Sequence, residues 1–199
     1  MLIALYHTAT HYLSQMAMLA LPIAMIFYLL TPCRQHRLEK QGLKSGTARE
    51  FCLLLFVMAI CGILSVTLRP PFGWGAPLPE KKDVWENLNL VPFKMFRIYG
   101  FYFRWGNFLY IVVNFIGNML VFLPLGFFPA LLFRKAKWWR SLLVGGGISV
   151  FVEFGQFFLM RQSDIDDVLL NSLGALLGYW VFLLLRKIAP TAVSRFQCS

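Results

Sequence analysis

Long apolar runs separated by short polar connections dominate the chain. A bilayer core of about 30 Å requires roughly 20 mostly apolar residues per helix, and segments of this kind recur along the sequence. A β-barrel would instead show alternating strands of about ten residues. The sequence therefore predicts an all-α integral membrane bundle of about five transmembrane helices in a single membrane domain, residues 1–199. The predicted spans are residues 12–30, 51–68, 108–133, 141–160 and 168–185.

Composition agrees with this pattern and excludes other classes of protein. Of the 199 residues, 14% are charged and 58% are hydrophobic, whereas a soluble domain carries about 25% charged residues. A water-soluble domain of this length cannot bury so much apolar surface. Soluble cytosolic enzymes, extracellular disulfide scaffolds and disordered chains are therefore excluded.

The net charge of +10 is explained by where the cations lie. If the N-terminus is outside, the inner connections together carry twelve Lys and Arg. The outer connections carry seven, although they contain more residues. The positive-inside rule therefore predicts an N-terminus outside and a C-terminus inside, in a multi-pass protein of the inner (cytoplasmic) membrane. Anionic lipid accounts for the basic inner loops, so membrane lipids are the expected partners and no nucleic acid is expected.

The outer connection, residues 69–107, is long, with five prolines and ten aromatic residues. Proline disfavours continuous helix through most of it, and a solvated linker would not be so aromatic. One interpretation is an aromatic belt at the headgroup level. The other is a cap over an outward-facing pocket, to which Asn89 and Arg97 contribute.

Glu153 is the charged residue predicted to lie deep within a span. An intramembrane carboxylate is costly unless it is paired, hydrogen-bonded or protonated, and therefore indicates function. At 100° per residue, Gly145, Ser149 and Gln156 share its helix face. With a rise of 1.5 Å per residue, Glu153 lies about 10 Å below the outer end of its helix.

Two other predicted spans carry comparable polar stripes. In each of them, offsets of 4, 7 or 11 residues place small and polar side chains on one face. The pair Gly174 and Gly178 forms a GxxxG motif, which allows close approach of helix backbones. The stripes consist of Asn107, Asn114 and Asn118 in the third span, and of Asp167, Asn171, Gly174 and Gly178 in the fifth.

The three stripes are predicted to converge in the outer leaflet beneath a short turn that contains Arg161 and Asp164. Two plainer interpretations remain open: polar side chains serve as packing contacts between membrane helices, and Asp166 and Asp167 cap a helix N-terminus. Neither a metal site nor a cofactor is expected; His7 and His11 lie four residues apart but lack further ligands. The candidate binding residues are Asn114, Asn118, Glu153, Gln156, Arg161, Asp166, Asp167 and Asn171, with Glu153 as the candidate catalytic residue.

Three of these segments also carry a family resemblance. NFIGNMLVFLPLGFF (residues 114–128), SVFVEFGQ (149–156) and RQSDIDDVLLNSLGALLGY (161–179) resemble the VanZ-like family of bacterial membrane proteins, and NLVPF (89–93) resembles the segment before them. The resemblance covers about residues 87–185, and the first two spans match only as generic hydrophobic helices. It implies a small polytopic helical protein of the cell envelope, in a family whose founding member is linked to teicoplanin susceptibility.

Three functions are considered from the sequence. In the first, the outer-leaflet site binds a lipid headgroup, a lipid-linked wall precursor or another membrane protein, and Arg161 engages an anionic group at its rim. In the second, a membrane-embedded enzyme acts on a lipid-linked substrate at the outer face, with Glu153 as general acid or base. The third, a transporter, is disfavoured because an odd number of spans does not divide into repeats.

Overall fold

A computed structural model describes residues 2–68, 84–133 and 137–197, without the side chains of residues 2–19, Val84 and Glu86. The described part is predominantly helical, as predicted, with one short parallel pairing of two strands. The elements are α1 (Leu2–Glu39), α2 (Thr47–Thr67), a 3₁₀ turn (Val84–Asn87), β1 (Leu88–Asn89), α3 (Lys94–Arg104), α4 (Phe108–Leu132), α5 (Trp138–Phe158), β2 (Ser163–Asp164), α6 (Ile165–Ile188) and α7 (Pro190–Ser194).

Among the described residues, four helices are long and apolar enough to cross a membrane: α2, α4, α5 and α6. They correspond to the second to fifth predicted spans, with bounds shifted by a few residues. The first predicted span falls within α1, and the side chains of its first part, residues 12–19, lie outside the described residues, so a fifth span stays a prediction. The orientation of the termini stays a prediction as well. The side chains of His7 and His11, and the whole of residues 69–83 of the outer connection, also lie outside what the structure describes.

Helix α6 is central, packing against both α4 and α5, while α2 packs on α4 and α1 on α2. Where the α4–α6 contact contains glycine, the two backbones lie too close together for a side chain. A Cβ at Gly174 would overlap the Met119 carbonyl oxygen, and one at Gly178 would overlap that of Leu123. The predicted close approach at the GxxxG motif is therefore confirmed, and we refer to Gly126, Gly174, Ala175 and Gly178 as the small-residue seam.

The beginning of α6 corrects one prediction. The helix begins at Ile165, so Asp166 and Asp167 lie in its first turn rather than in the preceding connection. The side chain of Asp164 accepts a hydrogen bond from the Asp166 backbone N–H at 2.9 Å and caps this helix. Carboxylates are favourable there because the N-terminus of a helix carries partial positive charge.

Buried charge is also more widespread than the sequence indicated. The side chain of Asp166 is 2% exposed, less than the 7% of Glu153. Arg49 is buried as well, beside Glu50, whose carboxylate pairs with Arg34 of α1. Glu153 is thus one of several buried charged residues, and the Arg34–Glu50 pair joins α1 to α2 at the end of the bundle away from the candidate site.

Candidate functional site

The candidate site forms where α5 ends and α6 begins, against the segment 84–104. Strand β1 runs parallel to β2, with Leu88 opposite Ser163 and Asn89 opposite Asp164. The buried Asn89 donates from Nδ2 to Asp164 Oδ1 at 2.7 Å. This pairing places the segment before α3 directly over the N-terminus of α6.

Glu153 lies on the buried face of α5, together with Gly145, Ser149 and Gln156 as predicted. Its Oε2 accepts the backbone N–H of Asp164 at 2.8 Å, and the side chain of Ser163 also bonds to its carboxylate. These two hydrogen bonds offset part of the free-energy cost of removing the carboxylate from water. Glu153 therefore anchors β2 to α5.

Asp166 caps a helix other than its own. Its two carboxylate oxygens accept the backbone N–H groups of Phe93 and Met95, at 2.5 and 2.8 Å. These donors lie at the N-terminus of α3, where backbone N–H groups lack partners within the helix. Phe93 has a φ of 65°, a conformation that is costly for a bulky residue unless the surroundings hold it. Asp166 thus fixes α3 to the first turn of α6.

Asp167 and Asn114 lie beside this junction. Asn118 of α4 donates from Nδ2 to Asp167 Oδ1 at 2.8 Å, which links α4 to α6. Asn114, one turn earlier on α4, donates to the backbone oxygen of Tyr110 at 2.8 Å. The stripe on α4 and the stripe on α6 therefore meet, as the spacing indicated.

A polar pocket of about 160 Å³ lies between α3, α4 and the N-terminus of α6. Among the described residues, its wall contains three carboxyl groups, two phenols and two carboxamides, and no Lys or Arg. Such a wall presents mainly hydrogen-bond acceptors and negative charge. The lining residues are Met95, Ile98, Tyr99, Tyr110, Asn114, Gln162, Asp164, Asp166 and Asp167.

A second cavity, the lateral groove, has a volume of about 380 Å³ and lies between α5, the start of α6 and β1. Most of its wall is aliphatic or aromatic, with Glu153, Ser163 and Asp164 as the polar exceptions. Asp164 also lines the polar pocket, so the two cavities adjoin at this residue. The apolar part of the lining is Trp85, Leu88, Leu90, Val150, Phe154, Phe157, Ile165 and Val168.

The other sequence candidates lie outside both linings. Gln156 and Arg161 donate to the same backbone oxygen, that of Thr67 at the end of α2, at 3.1 and 3.0 Å. Asn171 donates to Ser149 Oγ at 2.9 Å, and its Oδ1 is buried without a partner in the described part of the chain. These three residues join α2, α5 and α6 around the cavities.

Several lining residues were not candidates in the sequence. Asp164 could have been identified from the sequence, because it is an acidic residue in the DIDD string just before a predicted helix. Tyr99, Tyr110 and Gln162 have no regular sequence spacing from the aspartates of the pocket. They line it only because α3 folds against α4 and the N-terminus of α6. Of the two outer-connection candidates, Asn89 bonds to Asp164, whereas Arg97 is exposed and lines neither cavity.

The pocket also alters the chemistry of Tyr99, which lies on α3 and outside the spanning helices. Burial, together with the neighbouring Asp167, Tyr110, Asp166 and Asp164, raises the pKa of Tyr99 to about 12. The phenol therefore stays protonated at neutral pH and is available as a hydrogen-bond donor in an otherwise acidic wall. No cluster of three or more His, Cys, Asp or Glu arranged for a metal ion occurs in the described residues.

Comparison with models of protein families gives one match, VanZ/LLP1, over residues 51–186. The match covers more than half of the chain. The chain belongs to the VanZ/LLP1 family. Comparisons with curated proteins and with solved structures give no match.

The matched region contains α4 and α5 entirely and nearly all of α2 and α6. It also contains every residue given as lining the two cavities. It begins at residue 51, earlier than the resemblance noted in the sequence, so α2 belongs to the family region rather than being a generic hydrophobic helix. The chain is a VanZ-like multi-pass membrane protein. The contacts of Thr67 with Gln156 and Arg161 show how α2 closes this region.

Proposed function

We propose that this VanZ-like protein binds an amphiphilic, lipid-like ligand of the bacterial cell envelope. The polar end of the ligand occupies the polar pocket, and its apolar part occupies the lateral groove. The observation that carries the proposal is the position of Asp164, which lines both cavities. A ligand that fills both must be polar at one end and apolar at the other.

The wall of the polar pocket favours a particular headgroup chemistry. Carboxylates and carboxamide oxygens accept hydrogen bonds, so the wall suits hydroxyl or amine groups better than a bare phosphate. A lipid with an amine headgroup and a lipid-linked wall precursor bearing sugars both present such donors. Arg161, the residue offered from the sequence for an anionic group, lines neither cavity and donates to Thr67.

The lateral groove favours entry from the membrane. Val150 and Phe154 of α5 are exposed along its edge, and α5 is one of the helices able to span a membrane. An acyl or isoprenoid chain in the bilayer would therefore reach the groove without crossing water. Burial of apolar surface in such a groove is usual for ligand sites, in which a few polar groups set the orientation.

The biological setting completes the proposal. With the predicted topology, both cavities lie in the outer leaflet of the cytoplasmic membrane, where lipid-linked wall precursors are accessible. Occupation of the site would then alter susceptibility to teicoplanin. In a host whose susceptibility depends on the wild-type gene, Asp167→Asn removes a carboxylate of the polar pocket and should abolish that effect at unchanged protein abundance. Unchanged susceptibility would contradict this part of the proposal.

The same groove also suits a membrane-embedded enzyme, because a carboxylate, Glu153, borders it. Both hydrogen bonds given for Glu153 connect it to β2, which favours a positioning role over proton transfer. Turnover of an outer-leaflet lipid-linked substrate by the purified chain, lost in Glu153→Gln, would support the enzyme instead. Binding without turnover supports the proposal.

The direct test is to identify the lipids that purify with the chain. Asp167→Asn retains an acceptor for Asn118 but removes a carboxylate of the polar pocket, and Val168→Trp fills the lateral groove. We expect both variants to lose the same lipid class by mass spectrometry. Glu39→Gln and Val113→Trp are matched controls, since both residues are exposed and line neither cavity. Wild-type lipid content in both test variants would overturn the proposal.

A further inference from the structure

We propose that α3 is an interfacial helix that binds an anionic phospholipid of the surrounding leaflet. The headgroup contacts the cationic side of α3, and an acyl chain lies in a groove between α3 and α4. This groove shares one lining residue, Tyr99, with the polar pocket and none with the lateral groove. Its ligand is a bulk membrane lipid, so the inference does not depend on the proposed function.

The side chains of α3 fall into three sectors. Taking Lys94 as 0°, Arg97 and Arg104 lie at about 300° and 280°, and Phe96 and Phe103 at about 200° and 180°. One apolar side chain, that of the exposed Phe101 at about 340°, lies within the cationic sector. The remaining sector faces the protein, where Met95 is buried. The separation of polar from apolar side chains is greater in α3 than in any other long helix described. Strong amphipathicity of this kind is typical of helices that lie in the membrane interface.

Aromatic contacts hold α3 along the first two turns of α4. Tyr102 stacks on Tyr110 with ring centroids 4.0 Å apart, and Phe103 meets Phe108 edge to face at 5.1 Å. Because α4 is a candidate membrane span, α3 lies at the end of that span, near the headgroup level. Trp105, which directly follows α3, is exposed. Trp is enriched at the headgroup level of membranes, which agrees with this position for α3.

Beside these contacts, an apolar groove of about 380 Å³ opens between α3 and α4. Phe96 and Phe103 on its wall are 58% and 62% exposed, so this wall is not covered by the described protein. A groove between an interfacial helix and a span is open to acyl chains from the bilayer. Its lining is Phe96, Tyr99, Gly100, Phe103, Ile111 and Phe115.

Charge identifies the occupant as an anionic lipid. Helix α3 carries Lys94, Arg97 and Arg104 and no acidic residue. All three cations are exposed, and none forms an ion pair with a carboxylate of the described residues. Each cation near an anionic bilayer surface contributes about 1 kcal/mol of attraction, or about a fivefold change in affinity.

The N-terminus of α3 is also fixed in place. Asp166 accepts the backbone N–H groups of Phe93 and Met95, so the helix is held at its first turn by α6 and along its length by α4. A preorganised helix loses less conformational entropy on binding than a free amphipathic segment. The lipid site is therefore built into the fold.

Photo-crosslinking of the full chain in phosphatidylcholine vesicles tests the inference. Two probes with the same photoactivatable acyl chain are compared, one a phosphatidylglycerol and the other a phosphatidylcholine. The readout is the ratio of their adducts on residues 94–115, mapped with a protease that does not cleave at Arg. We expect the wild-type ratio to favour phosphatidylglycerol, and Arg97→Gln with Arg104→Gln to lower it by about fivefold for each cation removed.

Two further variants separate charge from structure. Arg97→Lys with Arg104→Lys should keep the preference, since the attraction is electrostatic. Arg37→Gln with Lys40→Gln makes the same charge change at exposed positions near the end of α1 and should leave the ratio on residues 94–115 unchanged. An equal yield from both probes in the wild type, or an unchanged ratio in the Arg97 and Arg104 double Gln variant, would overturn the inference.

Discussion

Two regions of the molecule hold their helices together by different means. In the small-residue seam, α4 and α6 touch backbone to backbone, with no space for a Cβ at Gly174 or Gly178. At the polar end, α3, β1, β2, α5 and α6 are joined by hydrogen bonds that the carboxylates of Glu153, Asp164 and Asp166 accept. No seam residue lines the polar pocket or the lateral groove, whereas the polar end surrounds both. The seam is therefore sensitive to side-chain size, and the polar end to charge and hydrogen-bonding capacity.

The largest effect is expected when a larger side chain replaces a glycine of the small-residue seam. Gly178→Leu would drive a side chain into the backbone of α4, and separating the two helices should cost at least about 3 kcal/mol. We expect loss of monodisperse protein after detergent extraction and a sharply lower Tm. Gly147→Leu is the matched control, because open space surrounds a Cβ at Gly147. Equal behaviour of the two variants would show that the seam does not determine the fold.

Removing the cap of α3 should have the next largest effect. Asp166→Ala leaves the N–H groups of Phe93 and Met95 without their acceptor, at a cost of about 1–3 kcal/mol. We expect faster hydrogen exchange at these two amides and a lower Tm, while the seam residues stay protected. Asp167→Asn, which retains the acceptor for Asn118, serves as the milder comparison. If the Phe93 and Met95 amides exchanged as slowly in the Ala variant as in the wild type, Asp166 would not hold the N-terminus of α3.

Two substitutions of Glu153 separate the contribution of its hydrogen bond to stability from the contribution of its charge. Glu153→Gln still offers an oxygen to the Asp164 N–H, so we expect stability to change by less than about 1 kcal/mol. Glu153→Leu leaves that N–H unpaired and should cost about 1–3 kcal/mol. Thermal unfolding of both variants in one detergent measures the difference. If the Leu variant were as stable as the Gln variant, Glu153 would not anchor β2.

The smallest effect concerns alkaline pH. The pKa of Tyr99 is raised to about 12 in the folded chain, against about 10 for a free tyrosine. The unfolded chain therefore releases this proton first, so stability is complete below pH 10 and falls as the pH rises from about 10 towards 12. In Tyr99→Phe, the Tm should fall less steeply over this interval. Identical slopes for the two proteins would show that folding does not raise the pKa of Tyr99.

Features that depend on local periodicity were predictable from the sequence. The face shared by Ser149, Glu153 and Gln156 follows from 3.6 residues per turn, and the close approach at Gly174 and Gly178 follows from their spacing. Both are confirmed by the burial of these residues. The family was likewise recognisable from the polar strings around them, and its matched region proved wider, since it includes α2.

Features that depend on contacts between distant segments were not predictable. One of two interpretations made Asp166 a cap of its own helix, yet it caps α3 from a position 71 residues away from Met95. The contact of Arg161 with the Thr67 backbone oxygen on α2 had no signal in the sequence, and its role at the rim of the site stays a prediction. Helical spacing gives the face on which a side chain lies but not the partner that meets that face. The candidate binding residues therefore stay a prediction as a set, even though Glu153, Asn114, Asp166 and Asp167 line the two cavities.

The most direct test of the central claim is an experimental structure of the chain purified with its native lipids. The account predicts continuous density for one ligand that passes Asp164, with an apolar chain in the lateral groove and a polar headgroup beside Asp167 and Tyr99. Two unconnected features, or solvent alone in the polar pocket while a lipid occupies the groove, would contradict the claim that both cavities serve one amphiphile.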